Sequence, residues 1–141
     1  MGLDNGIVLK CRKNQFKLPR WLESTGTVHY NIYGHKTSLF TYELTYWRKC
    51  YDIRNTILDK TSCCTNGYSK LSIDDINKII IIIIKKYYTI SGIKSWKNDY
   101  WEYGWVRFVE GLRFIRNLLW LKRFMKIHTD NNYKVYFYDS Y

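Results

Sequence analysis

Apolar positions along the chain follow two different periods. In the first third, Val28-His29-Tyr30-Asn31-Ile32-Tyr33 alternates loosely, Gly34-His35-Lys36 has the composition of a turn, and Leu39-Phe40-Thr41-Tyr42 follows. Two β-prone runs around a Gly-containing turn predict a hairpin. A further strand is expected over Gly2–Leu9, so residues 1–42 read as a small antiparallel sheet. From Glu43 to Leu58 the period lengthens. Leu44, Trp47, Cys50 or Tyr51, Arg54 and Ile57 or Leu58 recur at three- and four-residue steps, which predicts a helix. Asp59–Lys70 is polar and reads as a linker.

A second helix is announced by Ser72-Ile73-Asp74-Asp75, a capping-box-like start with acids where the helix dipole favours them. It is expected to run to about Tyr88. The block Ile79–Ile84 is β-branched and has the propensity of a buried strand. The cap and the spacing of Ile73, Ile76, Ile80, Ile83 and Tyr87 favour helix. Six isoleucines in a row leave no polar side, and a helix apolar all round must be buried all round. In so short a chain the expected cover is a second copy; burial between the sheet and the last helix is the alternative. Ser91–Tyr100 is a polar connection. The last helix is expected over Tyr103–Ile127, with Phe108, Leu112, Ile115, Leu118 and Leu119 as its apolar stripe and Glu110, Arg113 and Asn117 as a narrow polar one. Gly104 and Gly111 lie seven apart, nearly on one face, where each costs about 1 kcal/mol relative to Ala. The expected compensation is close approach of another backbone. Tyr133–Tyr138 reads as a closing strand. The pattern predicts an α+β fold, one domain over residues 1–141, with a small N-terminal antiparallel sheet and long C-terminal helices that mediate oligomerisation.

The length of 141 residues suits one domain with a real core, and 46% hydrophobic residues exclude a disordered basic tail. Alanine is absent, and Ile, Lys, Asn and Tyr supply 55 residues, which points to AT-rich coding. No apolar run approaches the about 20 residues that cross a bilayer. The opening Met1-Gly2-Leu3-Asp4-Asn5-Gly6 has neither a signal-peptide pattern nor the Ser or Thr of a myristoylation site. A cytoplasmic location and no membrane association are expected. Cys11, Cys50, Cys63 and Cys64 lack zinc-site spacing, and His29, His35 and His128 do not cluster with them. Four free thiols, no metal and no cofactor are expected.

Nothing matches a Gly-rich phosphate loop or a nucleophile elbow. Asp74-Asp75 are adjacent carboxylates, but their position at a helix start gives them a capping role. No enzymatic activity is expected. Net charge is +11, and residues 85–126 carry +7 of it. Lys85, Lys86, Lys94, Lys97, Arg107, Arg113, Arg116, Lys122, Arg123 and Lys126 are interleaved there with Tyr87, Tyr88, Trp96, Tyr100, Trp101, Tyr103, Trp105 and Trp120. An arginine fork bonds two phosphate oxygens at once, and a base stacks on an aromatic face. This segment therefore suits a ligand with phosphates and bases; a solvated basic face beside an aromatic core is the alternative. A second cluster, Tyr46–Asn55, would place Trp47, Tyr51 and Arg54 on one helical face and Arg48 with Asp52 on another. It reads either as a core-facing stripe with an ion pair or as a phosphate pocket using Arg54 or Arg48.

The opening Met1–Ile7, the block Tyr46-Trp47-Arg48-Lys49-Cys50 with Ile53-Arg54-Asn55, and the closing Tyr138-Asp139-Ser140-Tyr141 resemble small phage proteins from AT-rich bacterial hosts. The chain is similar to the first-described type of the Thoeris anti-defence family, the phage sponges. The resemblance implies an N-terminal sheet, a pair of long C-terminal helices and assembly through those helices into a dimer or higher oligomer, a hexamer included. It implies binding of the cyclic ADP-ribose isomer of Thoeris immunity, and of cyclic oligonucleotides of CBASS immunity, without cleavage. The residues matching the family's pocket in type are Arg113 and Arg116, Tyr88, and Asn98 with Asp99, with Arg54 as the N-terminal contributor. The last helix has no i,i+4 arginine pair in this pocket set. The alternative is a small basic phage nucleic-acid-binding protein, or an inhibitor gripping the guide RNA of a nuclease; an enzyme that cleaves the signal is a third class.

Overall fold

The computed structural model describes residues 4–12, 15–22, 24–32, 35–48, 50–88, 104–129 and 132–140. In order these form β1 (Asp4–Arg12), β2 (Ser24–Ile32), β3 (His35–Arg48), α1 (Tyr51–Lys60), β4 (Gly67–Lys70), α2 (Ile73–Tyr88), α3 (Gly104–Ile127) and β5 (Lys134–Ser140). The class is α+β. The chain divides into two compact units. One comprises Met1–Lys49, Cys64–Leu71 and Thr129–Tyr141 and holds the strands; the other comprises Cys50–Cys63 and Ser72–His128 and holds the helices. No described helix is long and apolar enough to cross a membrane.

The strand unit is one antiparallel sheet in the order β2-β3-β1-β5-β4. The hairpin forms as predicted, but β3 begins at His35 and runs on to Arg48, so Glu43–Arg48 is strand and not helix. The register of β1 on β3 slips between Ile7, opposite Thr45, and Val8, opposite Glu43, leaving Leu44 as the extra residue of a bulge. Leu44 and Thr45 are both buried as a result, and the two-residue alternation breaks. The bulge thereby puts buried Leu44 and Trp47 three residues apart, a spacing that mimics a helix. Trp47, buried in β3, shares no helical face with Tyr51 and Arg54, and Arg48 and Asp52 are not an intrahelical pair. Asp59–Lys70 also holds more than a linker. Asn66, at φ 53°, turns the chain into β4, and its N–H donates to Asp139 Oδ2 at 3.0 Å. The closing strand is β5, which lies between β1 and β4 and contributes buried Val135 and Phe137.

Helix α2 begins where its sequence said it would, whereas α1 starts at Tyr51 and not at Glu43. The Ser72 hydroxyl accepts the Asp75 N–H at 3.1 Å, and Asp75 Oδ2 accepts the Ser72 N–H and hydroxyl at 3.1 and 3.0 Å. That reciprocal cap starts α2, and Lys78 pairs with Asp74 at 3.2 Å one turn on. Ile79–Ile84 is helix. Ile79, Ile80, Ile82 and Ile83 are buried within the protomer, while Ile81 and Ile84 are exposed. Most of the block is thus covered by the chain itself, and α1 and α3 both pack on α2. On α3 the buried face is Gly111, Phe114, Asn117, Leu118, Leu121 and Phe124. The expected stripe was rotated from this: Phe108, Leu112 and Leu119 are exposed and Asn117 is buried. Apolar residues lie nearly all round α3, so its pattern points to no single face. The close neighbours of Gly111 are tyrosine side chains and not the backbone that was expected. A Cβ there would lie 2.5 Å from Tyr87 Cδ1 and 2.6 Å from the Tyr88 hydroxyl.

Candidate functional site

The predicted ligand residues within the described part of the chain, Arg54, Tyr88, Arg113 and Arg116, all fall in the helical unit. Arg54 lies on α1 beside Ile53 and Ile57 and is buried; its Nη1 donates to Asn55 Oδ1 at 3.1 Å. Next to it Asp52 takes the Lys86 ammonium at 2.9 Å, tying α1 to the end of α2.

Tyr88 is the last residue of α2. Its hydroxyl donates to the Phe108 carbonyl at 2.7 Å, in the first turns of α3. Its ring meets Phe108 edge-on, with centroids 5.2 Å apart, and burial raises its phenol pKa. The neighbouring Tyr87 is fully buried and hydrogen-bonded to Glu110 at 3.4 Å. The missing side chain of Gly111 makes room for both rings. Tyr88 therefore clamps the α2–α3 pair while keeping part of its ring accessible.

Arg113 and Arg116 stand on the exposed side of α3. Phe108, Leu112, Arg116, Leu119 and Arg123 follow one another at four- and three-residue steps and form a single exposed stripe, with Arg113 at its flank. Half of Leu112 and of Leu119 is open to solvent, at 50% and 49%. The Arg116 fork is held in place, since Nε and Nη2 both donate to Oδ1 of buried Asn117 at 3.2 and 3.0 Å. The Arg113 guanidinium lies 5.5 Å from the Phe114 ring centroid. Tyr88 meets α3 at Phe108, the first residue of that stripe, and at Gly111. Asn98 and Asp99 lie outside the described residues.

A feature that the sequence did not single out lies between α1 and α2. A groove of about 240 Å3 is lined by Thr56, Lys60, Lys78, Ile81, Ile82, Lys85 and Lys86. Lys78 and Lys86 spend their charge on Asp74 and Asp52. Lys60 and Lys78 fell outside the basic segment because they come from separate stretches of chain. All four cysteines are free; Cys11 is buried, which pushes its thiol pKa up to about 11. Among the described residues no three His, Cys, Asp or Glu side chains gather as a metal site would require.

No family model, curated protein or solved structure matches the chain.

Proposed function

We propose that this chain is a phage anti-defence protein that binds a cyclic nucleotide immune signal and holds it without cleaving it. The ligand class is a cyclic ADP-ribose isomer, as in Thoeris immunity, or a cyclic oligonucleotide, as in CBASS. The observation that carries the reading is the exposed stripe of α3, where leucines alternate with arginines. An exposed apolar stripe on a helix is cover for a partner, and arginine forks within it are fit for phosphate. A second copy of the chain is the proposed partner, so the pocket lies at a protomer boundary. Protomers of charge +11 repel each other, and a ligand with phosphates between them lowers that repulsion locally. Tyr88 supplies a ring for a base, and Asn98 and Asp99 serve ribose hydroxyls or base edges. Arg54, buried on α1, is the N-terminal contributor that the resemblance implies. Sequestration needs affinity and slow release, with no acid or base aligned on a bond.

Calorimetry with a panel of cyclic nucleotides tests the assignment. Losing one charge-assisted partner costs about 1.5–3 kcal/mol, so Arg113→Ala or Arg116→Ala should weaken binding at least about tenfold with the assembly intact. Parent-like affinity in both variants would remove these arginines from the site.

A further inference from the structure

The strand unit carries a second surface that the reading above does not use. Antiparallel register sets which side chains share one face of its sheet. Lys10 lies opposite Lys134, Val8 opposite Tyr136 and Gly6 opposite Tyr138 across β1 and β5; Tyr68 lies opposite Tyr138 and Lys70 opposite Tyr136 across β4 and β5. Directly opposed residues project to the same side of a sheet. Three tyrosines and three lysines from three adjacent strands therefore form one patch.

Its rings are in mutual contact. Tyr68 meets Tyr136 edge-on at 5.7 Å and Tyr138 at 6.2 Å, and the Lys10 ammonium sits 4.4 Å from the Tyr68 centroid. Tyr68 is 62% exposed although it is large and aromatic. Lys10 and Lys134 face each other directly, an arrangement that destabilises a sheet unless something anionic lies between them. Among the described residues, Lys10, Lys70 and Lys134 make no ion pair. The carboxylates of this face are engaged by tyrosine hydroxyls, Asp4 by Tyr46 at the start of β1 and Glu43, opposite Val8, by Tyr138. The patch thus offers one exposed ring, Tyr68, two half-buried ones and uncompensated ammonium groups side by side.

We propose that this face binds single-stranded nucleic acid. Bases stack on Tyr68 and Tyr136, and the phosphates between them take Lys10, Lys70 and Lys134. On binding, the Lys10 ammonium leaves the Tyr68 ring, where it rests in the free protein, for a phosphate. Rings and ammonium groups read base planes and backbone charge, not the sugar, so DNA and RNA single strands bind alike. A duplex keeps its bases stacked inside and binds more weakly. The proposal is independent of the cyclic-nucleotide reading, since every residue in it belongs to the strand unit.

Fluorescence anisotropy with labelled ten-residue oligo-dT and oligo-U, at low and physiological salt, tests it on the full chain. Three phosphate contacts on a single strand predict a log–log salt slope of about −2. Tyr68→Ala is expected to weaken both oligonucleotides about tenfold at unchanged slope, because stacking is lost and charge is kept. Tyr68→Trp is expected to bind within about twofold of the parent, since it restores the ring. Lys134→Ala should make the slope shallower by about 0.7. Arg113→Ala, which probes the helical unit, should leave oligonucleotide binding alone, and Tyr68→Ala should leave cyclic-nucleotide calorimetry alone. Parent-like binding by Tyr68→Ala, equal competition by duplex of the same length, or no binding by the parent would each overturn the proposal.

Discussion

At the scale of single residues, close packing decides the sign of a substitution. Gly111 sits in the interior of α3, where Ala would gain about 1 kcal/mol of helix propensity. The added methyl would press on Tyr87, which is fully buried and cannot move away. Overpacking of this kind costs about 1–3 kcal/mol, so Gly111→Ala should lower stability by about 1 kcal/mol net in chemical denaturation. A stabilised variant would show that the α2–α3 contact is looser than described. Glu43 gives a second case. Burial pushes its carboxyl pKa up, the Tyr138 hydroxyl opposes this in part, and Asp4 adds to the rise. A raised carboxyl holds its proton more tightly in the folded state. Its contribution is therefore favourable below the ordinary value of 4.5 and is lost as pH climbs through the folded value. Glu43→Gln fixes the neutral form, so its melting temperature relative to the parent should rise between about pH 4 and about pH 7. A constant difference across that range would mean that Glu43 is not desolvated. The Ser72–Asp75 cap was legible from sequence because its partners are three residues apart. The Gly111 contact was not, because its partner is twenty-odd residues upstream.

At the scale of elements, α2 could be read from its cap and isoleucine spacing, the hairpin from two β-prone runs around a Gly-containing turn, and α3 and β5 from where their apolar residues begin and end. Glu43–Arg48 could not. The bulge at Leu44 breaks the alternation of β3 and substitutes a spurious helical spacing, and only the pairing partner on β1 reveals it. Four-residue β4 is too short to show any period, and Tyr136 and Tyr138 hold it in place. The orientation of α3 was illegible for a different reason: with apolar side chains nearly all round, packing and not pattern chooses the buried face. That choice leaves Leu112 and Leu119 outside. Replacing both by Asp should leave the helical circular-dichroism signal unchanged, as both are half exposed. In light scattering the same double variant should fall to the 17.2 kDa protomer from a larger parent assembly. A parent that already runs at 17.2 kDa, or a variant with the parent's mass, would remove α3 as the assembly surface.

At the scale of the whole molecule, +11 of charge is laid out in two units that each place cations beside aromatic rings. Composition alone showed the basic and aromatic character on which the proposed ligand class rests, and the division of that chemistry between helices and sheet was not legible. Arg113 and Arg116 could be read as basic residues of the last helix, whereas the helical face shared by Arg54 and Trp47 came from drawing a helix through Glu43–Leu58, of which Glu43–Arg48 is strand. The central claim is sequestration of an intact cyclic nucleotide. Its most direct test is to incubate the protein with a mixture of cyclic ADP-ribose isomers and cyclic oligonucleotides, wash it, denature it and identify what is released by mass spectrometry. The account predicts release of one or more of these nucleotides chemically unchanged, in stoichiometric proportion to protomer boundaries. Release of a cleaved product, or of no nucleotide at all, would contradict it.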